Sequence, residues 1–143
     1  MRKRDRERGS ATIEAVIIVP AFMLFIALII AAGRVQMARQ SVDAAAAEAA
    51  RAASISRTAA EAHTRAATSG NQALANQGVD CASTDVTIDT SGFAVPVGTP
   101  ATVSATVTCV VELGDVAVPG LPGAITITST VQSPLDLYRG RAR

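Results

Sequence analysis

At 143 residues and a net charge of +1, the chain has room for an anchor plus one small domain and lacks the basic field of a nucleic-acid binder. Aromatics make up 3% and tryptophan is absent, which excludes a large aromatic core, yet 49% of the residues are hydrophobic. Two cysteines, Cys81 and Cys109, with a single histidine, His63, and no Cys-x-x-Cys, give no zinc set, and neither a metal nor another cofactor is expected.

The chain begins with a charged leader, Arg2, Lys3, Arg4, Arg6 and Arg8 against Asp5 and Glu7, that ends at Gly9. Ser10-Ala-Thr-Ile-Glu14 follows, and then an uncharged run from Ala15 to Ala32, closed by Gly33 and Arg34. A helix of roughly 20 residues crosses a bilayer core of ~30 Å, so residues 10–33 read as a transmembrane helix. Pro20 removes one backbone donor inside it, which neighbouring helices in a membrane can offset. The leader is denser in positive charge than the far flank, where Arg34 and Arg39 stand. That asymmetry places the N-terminus in the cytoplasm and the chain beyond Gly33 outside, in the cell (inner) membrane as a single-pass protein. Signal-peptidase release is the competing reading, but the run is longer than an ordinary signal core and Arg34 follows it directly.

Glu14 is the charge that needs explaining. An acidic residue at a membrane centre costs ~2.5–3.5 kcal/mol on insertion scales, and less at the edge, where a glutamate can snorkel. Cleavage after Gly9 gives Ser10 a free cationic amine one helical turn away, on this chain or a neighbour, and pairing would offset burial. Gly9, Ser10 and Glu14 followed by an apolar helix resemble the prepilin-peptidase site of pilins and pseudopilins. The wider stretch, with Pro20 six residues after the glutamate and Gly33-Arg34 closing the run, resembles the TadE-like family of the Tad (tight adherence, Flp) pilus system. The resemblance covers roughly residues 8 to 54. Position 15 is alanine where major pilins of this class carry an aromatic, which sets the chain apart from a major pilin. The resemblance implies a minor pilin or pseudopilin cut between Gly9 and Ser10, with Glu14 guiding processing or docking. It implies a prepilin peptidase, other pilin or pseudopilin subunits, Tad assembly proteins and the lipid bilayer as partners, in adhesion or secretion machinery. An uncleaved single-pass protein whose outer domain binds an envelope partner or ligand is the alternative.

Residues 34–69 are alanine-rich and free of proline, with glycine absent too, so they should prolong the membrane helix outward to about Thr68, roughly 85–90 Å in all. Arg39/Asp43, Glu48/Arg51, Arg57/Glu61 and Glu61/Arg65 are spaced for helix pairs worth ~0.2–0.5 kcal/mol each. Ser69-Gly70-Asn71 reads as the stop. Val35, Met37, Val42 and Ile55 sustain no heptad, so a coiled coil is not expected; the apolar face is read as shared between the chain's own sheet and partner subunits. His63 reads as solvated.

From residue 70 to 143 the pattern changes to a small extracytoplasmic β-rich domain. Asn71 to Gly78 reads as a short helix with a glycine stop. Residues 84–90, 101–111 and 124–131 alternate polar with Val, Ile or Ala, the signature of half-buried strands. Turn-rich linkers at Ser91-Gly92, Pro96 to Pro100 and Pro119 to Gly123 predict an antiparallel meander packed on the helix. The fold expected is therefore α+β, a long membrane helix continuing outward onto a three-stranded antiparallel sheet. A Cys81–Cys109 disulfide is the simplest use of the two cysteines outside the cytoplasm, with two buried thiols as the alternative. The tail carries Arg139, Arg141 and Arg143. No Ser/His/Asp arrangement, phosphate loop or metal cluster is present, so no catalytic residue and no enzyme are expected.

Overall fold

The computed structural model describes residues 4–112 and 123–138, with side chains from residue 14 onward. The leader residues Arg2 and Lys3, the Pro119 to Pro122 part of the last linker and the tail arginines lie outside the described residues.

Helix α1 runs Arg4–Ser54, 51 residues and about 76 Å. It has two regimes. From Val16 to Ile30 its large apolar side chains face outward, Val16 and Ile17 each at 67% exposure. From Ala38 onward one side is spent inside the protein: Ala38, Val42, Ala45, Ala46, Ala49, Ala50 and Ala53 are buried. Helix formers without glycine or proline between Arg34 and Arg57 keep these regimes on one rod.

The rod does not continue to Thr68. It stops at Ser54, and α2, Ala59–Asn76, folds back beside it as a helical hairpin. Three hydroxyl residues make the break. Ser54 Oγ donates to Arg51 O at 2.9 Å and Ser56 Oγ to Ala52 O at 3.0 Å, capturing carbonyls at the end of α1. Thr58 is the N-cap of α2, extended at φ −128° and ψ 154°, and its Oγ1 accepts the Glu61 N–H at 3.1 Å. Glu61 Oε2 reaches back to accept the Arg57 N–H at 3.0 Å, a close variant of the capping box. Of the anticipated charge pairs, Glu61 joins Arg65 at 2.9 Å, whereas Arg39/Asp43 and Glu48/Arg51 are not joined.

Gly70, expected to end a helix, lies inside α2. Its α-carbon sits where α1, α2 and the sheet meet: a Cβ there would be 3.4 Å from Ala49 Cβ and 3.5 Å from a Val86 methyl. The buried α2 residues Ala62, Ala66, Gly70 and Leu74 recur every fourth position against the alanine seam of α1. Small side chains therefore serve close packing of the chain's own hairpin and sheet, and the alanine stripe is not left open to partners. The real stop is Gly78 at φ +66°, in the left-handed region that glycine enters without strain.

Strands β1 (Cys81–Asp89), β2 (Thr102–Glu112) and β3 (Ala124–Pro134) form an antiparallel meander in the order β1-β2-β3. Val103, Ala105, Val107 and Cys109 alternate inward on β2, joined by Ile88 and Ile127, and bury against the helices. The opposite face is polar: Thr106 and Thr130 hydroxyls lie 2.9 Å apart, and Thr108 and Thr128 hydroxyls 3.2 Å apart. Between β1 and β2 a 3₁₀ turn, Ser91–Ala94, tucks Phe93 inside. Gly92 is required there, because a Cβ would collide with the Thr102 carbonyl. Cys81 and Cys109 are bonded, with α-carbons 5.5 Å apart and a sequence separation of 28. The architecture is α+β as expected, with the helix break as its main departure.

Candidate functional site

The candidate site is the lip of the apolar segment. The α1 backbone is helical from Arg4, so Gly9 and Ser10 lie within one continuous rod, outside the residues whose side chains are described. Glycine in a helix interior costs ~1 kcal/mol relative to alanine, so Gly9 lowers the local helix stability at the point proposed for cutting. Glu14 is exposed, the first described charge at the lip. Pro20 sits inside the helix without ending it. Gly33 is exposed, and a Cβ there would meet nothing within 4 Å, so no contact within the described residues demands glycine. Arg34 is exposed immediately beyond it.

Glu14 and Arg34 are 20 residues apart, which is ~30 Å along a helix and equals the thickness of a bilayer's hydrocarbon core. Between them every side chain is apolar or proline, and nearly all are exposed. An exposed belt of Phe22, Phe25, Leu28 and Ile29 is unstable in water and well placed in lipid or among other apolar helices. Among the described residues, one helix is thus long and apolar enough to cross a membrane. It lies near the N-terminus and fits a single-pass membrane protein.

Among the described residues, the folded head shows no converging chemistry of this kind. His63 is exposed, as the sequence suggested, and its Nε2 lies 3.5 Å from Thr90 Oγ1, beside the end of β1. The sequence alone carried no signal for that contact, because the two residues are 27 positions apart. Asp89 on β1 accepts the Ser91 N–H at 2.9 Å. That backbone donor, with the Ser91 side chain, holds the Asp89 carboxyl below its ordinary value of 3.8. Asp85 Oδ2 accepts from Thr87 Oγ1 at 2.8 Å. An apolar cleft of about 340 Å³ opens between the ends of β2 and β3, lined by Pro100, Ala101, Thr102, Pro134, Leu135 and Leu137. None of those residues titrates.

Residues 9–51 match the family model described as TadE-like protein. No curated protein and no solved structure matches the chain. The matched stretch starts at Gly9, takes in Glu14, Pro20, Gly33 and Arg34, and ends within the alanine seam of α1. Over residues 9–51 the chain is therefore similar to the TadE-like protein family, consistent with a Tad pilus-related, pseudopilin-like protein.

Proposed function

We propose that the protein is a TadE-like minor pilin or pseudopilin of a Tad/Flp-type pilus. It is inserted in the inner membrane with its N-terminus in the cytoplasm and its head outside, and is cut between Gly9 and Ser10 by a prepilin peptidase. The observation that carries this reading is the match over residues 9–51 falling on a helix whose exposed apolar belt begins one residue after Glu14. Gly9 serves the cut in two ways: it weakens the helix where the backbone must open, and it leaves no side chain beside the scissile bond. Glu14 then stands one turn from the new Ser10 amine, and their pairing lowers the cost of carrying a carboxylate into apolar surroundings. The role is structural: the protein is a substrate of the peptidase and a part of the pilus machinery, docking with other subunits and Tad assembly proteins. The belt packs against other apolar helices or lipid while the disulfide-bonded head is displayed.

Co-expression with the cognate prepilin peptidase tests the reading. The unaltered chain is shortened, and Gly9→Ala, which restores helix propensity and adds a methyl at the cut, blocks shortening. Equal shortening of the Gly9→Ala chain contradicts the assignment of the site.

A further inference from the structure

Both edges of the sheet are open among the described residues. Among the described residues, no backbone group pairs with the outer edge of β3 or of β1. Edge strands normally carry charge, proline or a bulge against unwanted pairing. β1 has Asp85, Asp89 and an irregular start between Cys81 and Ser83. β3 has none of these along its length: AITITSTVQS is uncharged, its register with β2 is unbroken, and proline comes only at its last residue.

The hydrogen-bond phase of each edge follows from the register. Leu135 N–H donates to Ala101 O at 2.9 Å, and Thr102 faces Pro134, so the odd-numbered residues of β3 bond to β2. Thr126, Thr128, Thr130 and Gln132 therefore turn their N–H and C=O groups to the free edge. The same alternation makes Asp85, Thr87 and Asp89 of β1 bond inward and leaves Thr84, Val86 and Ile88 facing out.

We infer that the β3 edge of one copy takes the β1 edge of a second copy, in parallel, joining heads into a continuous sheet. Direction selects this pairing, and that step rests on the membrane-anchored reading. β1 and β3 are both antiparallel to β2, so they run the same way. The His63–Thr90 contact puts the end of β1 beside the early turns of α2, at the end of the head far from the apolar belt. An antiparallel β3–β3 contact would point the second copy's apolar helix away from the shared membrane. A parallel β3–β3 contact would put the second helix layer on the opposite face of the sheet. Parallel β3–β1 pairing keeps both in place, because α1 covers β2 and β3 while α2 covers β1 on one face.

Side-chain chemistry agrees. In a parallel ladder, outward-bonding Thr126, Thr128 and Thr130 stand opposite inward-bonding Asp85, Thr87 and Asp89, and all six side chains lie on the polar face. Carboxylates of β1 then meet hydroxyls, as Asp85 already meets Thr87 within the strand. A β1–β1 contact would set aspartate beside aspartate. The contact is heterologous, so it extends as a ring or filament instead of closing as a dimer.

Cysteine cross-linking of the full chain in its membrane tests this. Two differently tagged chains, Thr87→Cys and Thr128→Cys, are co-expressed and mildly oxidised, with Thr126→Cys and Thr130→Cys scanning the register. A disulfide needs α-carbons within about 7 Å, so the mixed pair should cross-link about tenfold more than either variant with itself. Self-cross-linking of the β3 variants at that level overturns the pairing. So does the absence of mixed cross-links at all three β3 positions in chains that remain membrane-bound with Cys81 and Cys109 joined. Mixed cross-links in a chain that keeps Met1 would overturn cleavage while supporting the edge contact.

Discussion

Removing the Cys81–Cys109 bond should cost the head a large part of its stability. The bond closes a loop with 28 residues of separation between its ends. In the chain-entropy account such a loop restrains the unfolded chain by about 3.5 kcal/mol. Replacing both cysteines with alanine adds a packing loss of about 1 kcal/mol, because Cys109 is fully buried among Val103, Val107 and the helices. Reduction without mutation isolates the first term. A head of this size is held by roughly 5–15 kcal/mol, so the fold survives but with much less margin. The assay is limited proteolysis of the detergent-solubilised full chain across a urea series, scoring the protected head with and without reductant. With a slope of about 1.5 kcal/mol per molar, the midpoint should fall by about 2 M on reduction. Alanine at both positions should lower it slightly further. A midpoint unchanged by reduction, or two alkylatable thiols in the native unreduced protein, would refute the reasoning.

Three further outcomes follow from the same geometry. Gly70→Ala should change the urea midpoint little, since its methyl meets Ala49 and Val86 at ordinary contact distances and helix propensity rises by ~1 kcal/mol, whereas Gly70→Leu should destabilise the head by about 2–3 kcal/mol through overpacking. Thr58→Ala should cost about 1 kcal/mol and Thr58→Ser much less, because only the hydroxyl acceptor for Glu61 N–H matters; equal losses would contradict the cap. In an NMR titration Asp89 should have its midpoint below 3.8. Its folded value is depressed, so its contribution is complete above the unfolded value and is lost as pH falls through the folded one; a midpoint at or above 3.8 contradicts the Ser91 contact.

The strands were legible because both faces obey period two. Thr84 to Thr90 anticipated β1, Ala101 to Val111 β2 and Ala124 to Val131 β3, each within a few residues of the observed ends. The helix break was not. Between Arg34 and Arg57 neither glycine nor proline punctuates the alanine run, and the stop is made by hydroxyls bonding to carbonyls. The one written signal was Thr58 with Glu61 three residues on, which also reads as an ordinary helical surface. Gly70 misled for the opposite reason: it is a contact point between elements distant in sequence, and its role appears only once Ala49 and Val86 are brought to it. Glu14, Pro20, Gly33 and Arg34 lie on one continuous helix, so their spacing along it was legible in the sequence. His63 beside Thr90 depends on the hairpin and was not readable.

The central claim is that a processed pilin-like helix begins at Ser10. Mass analysis of the mature N-terminus, on protein isolated from membranes that contain the active peptidase, tests it most directly. The account predicts a chain starting at Ser10 and retaining the whole apolar helix. An intact Met1, or a start beyond Ala32, would contradict it.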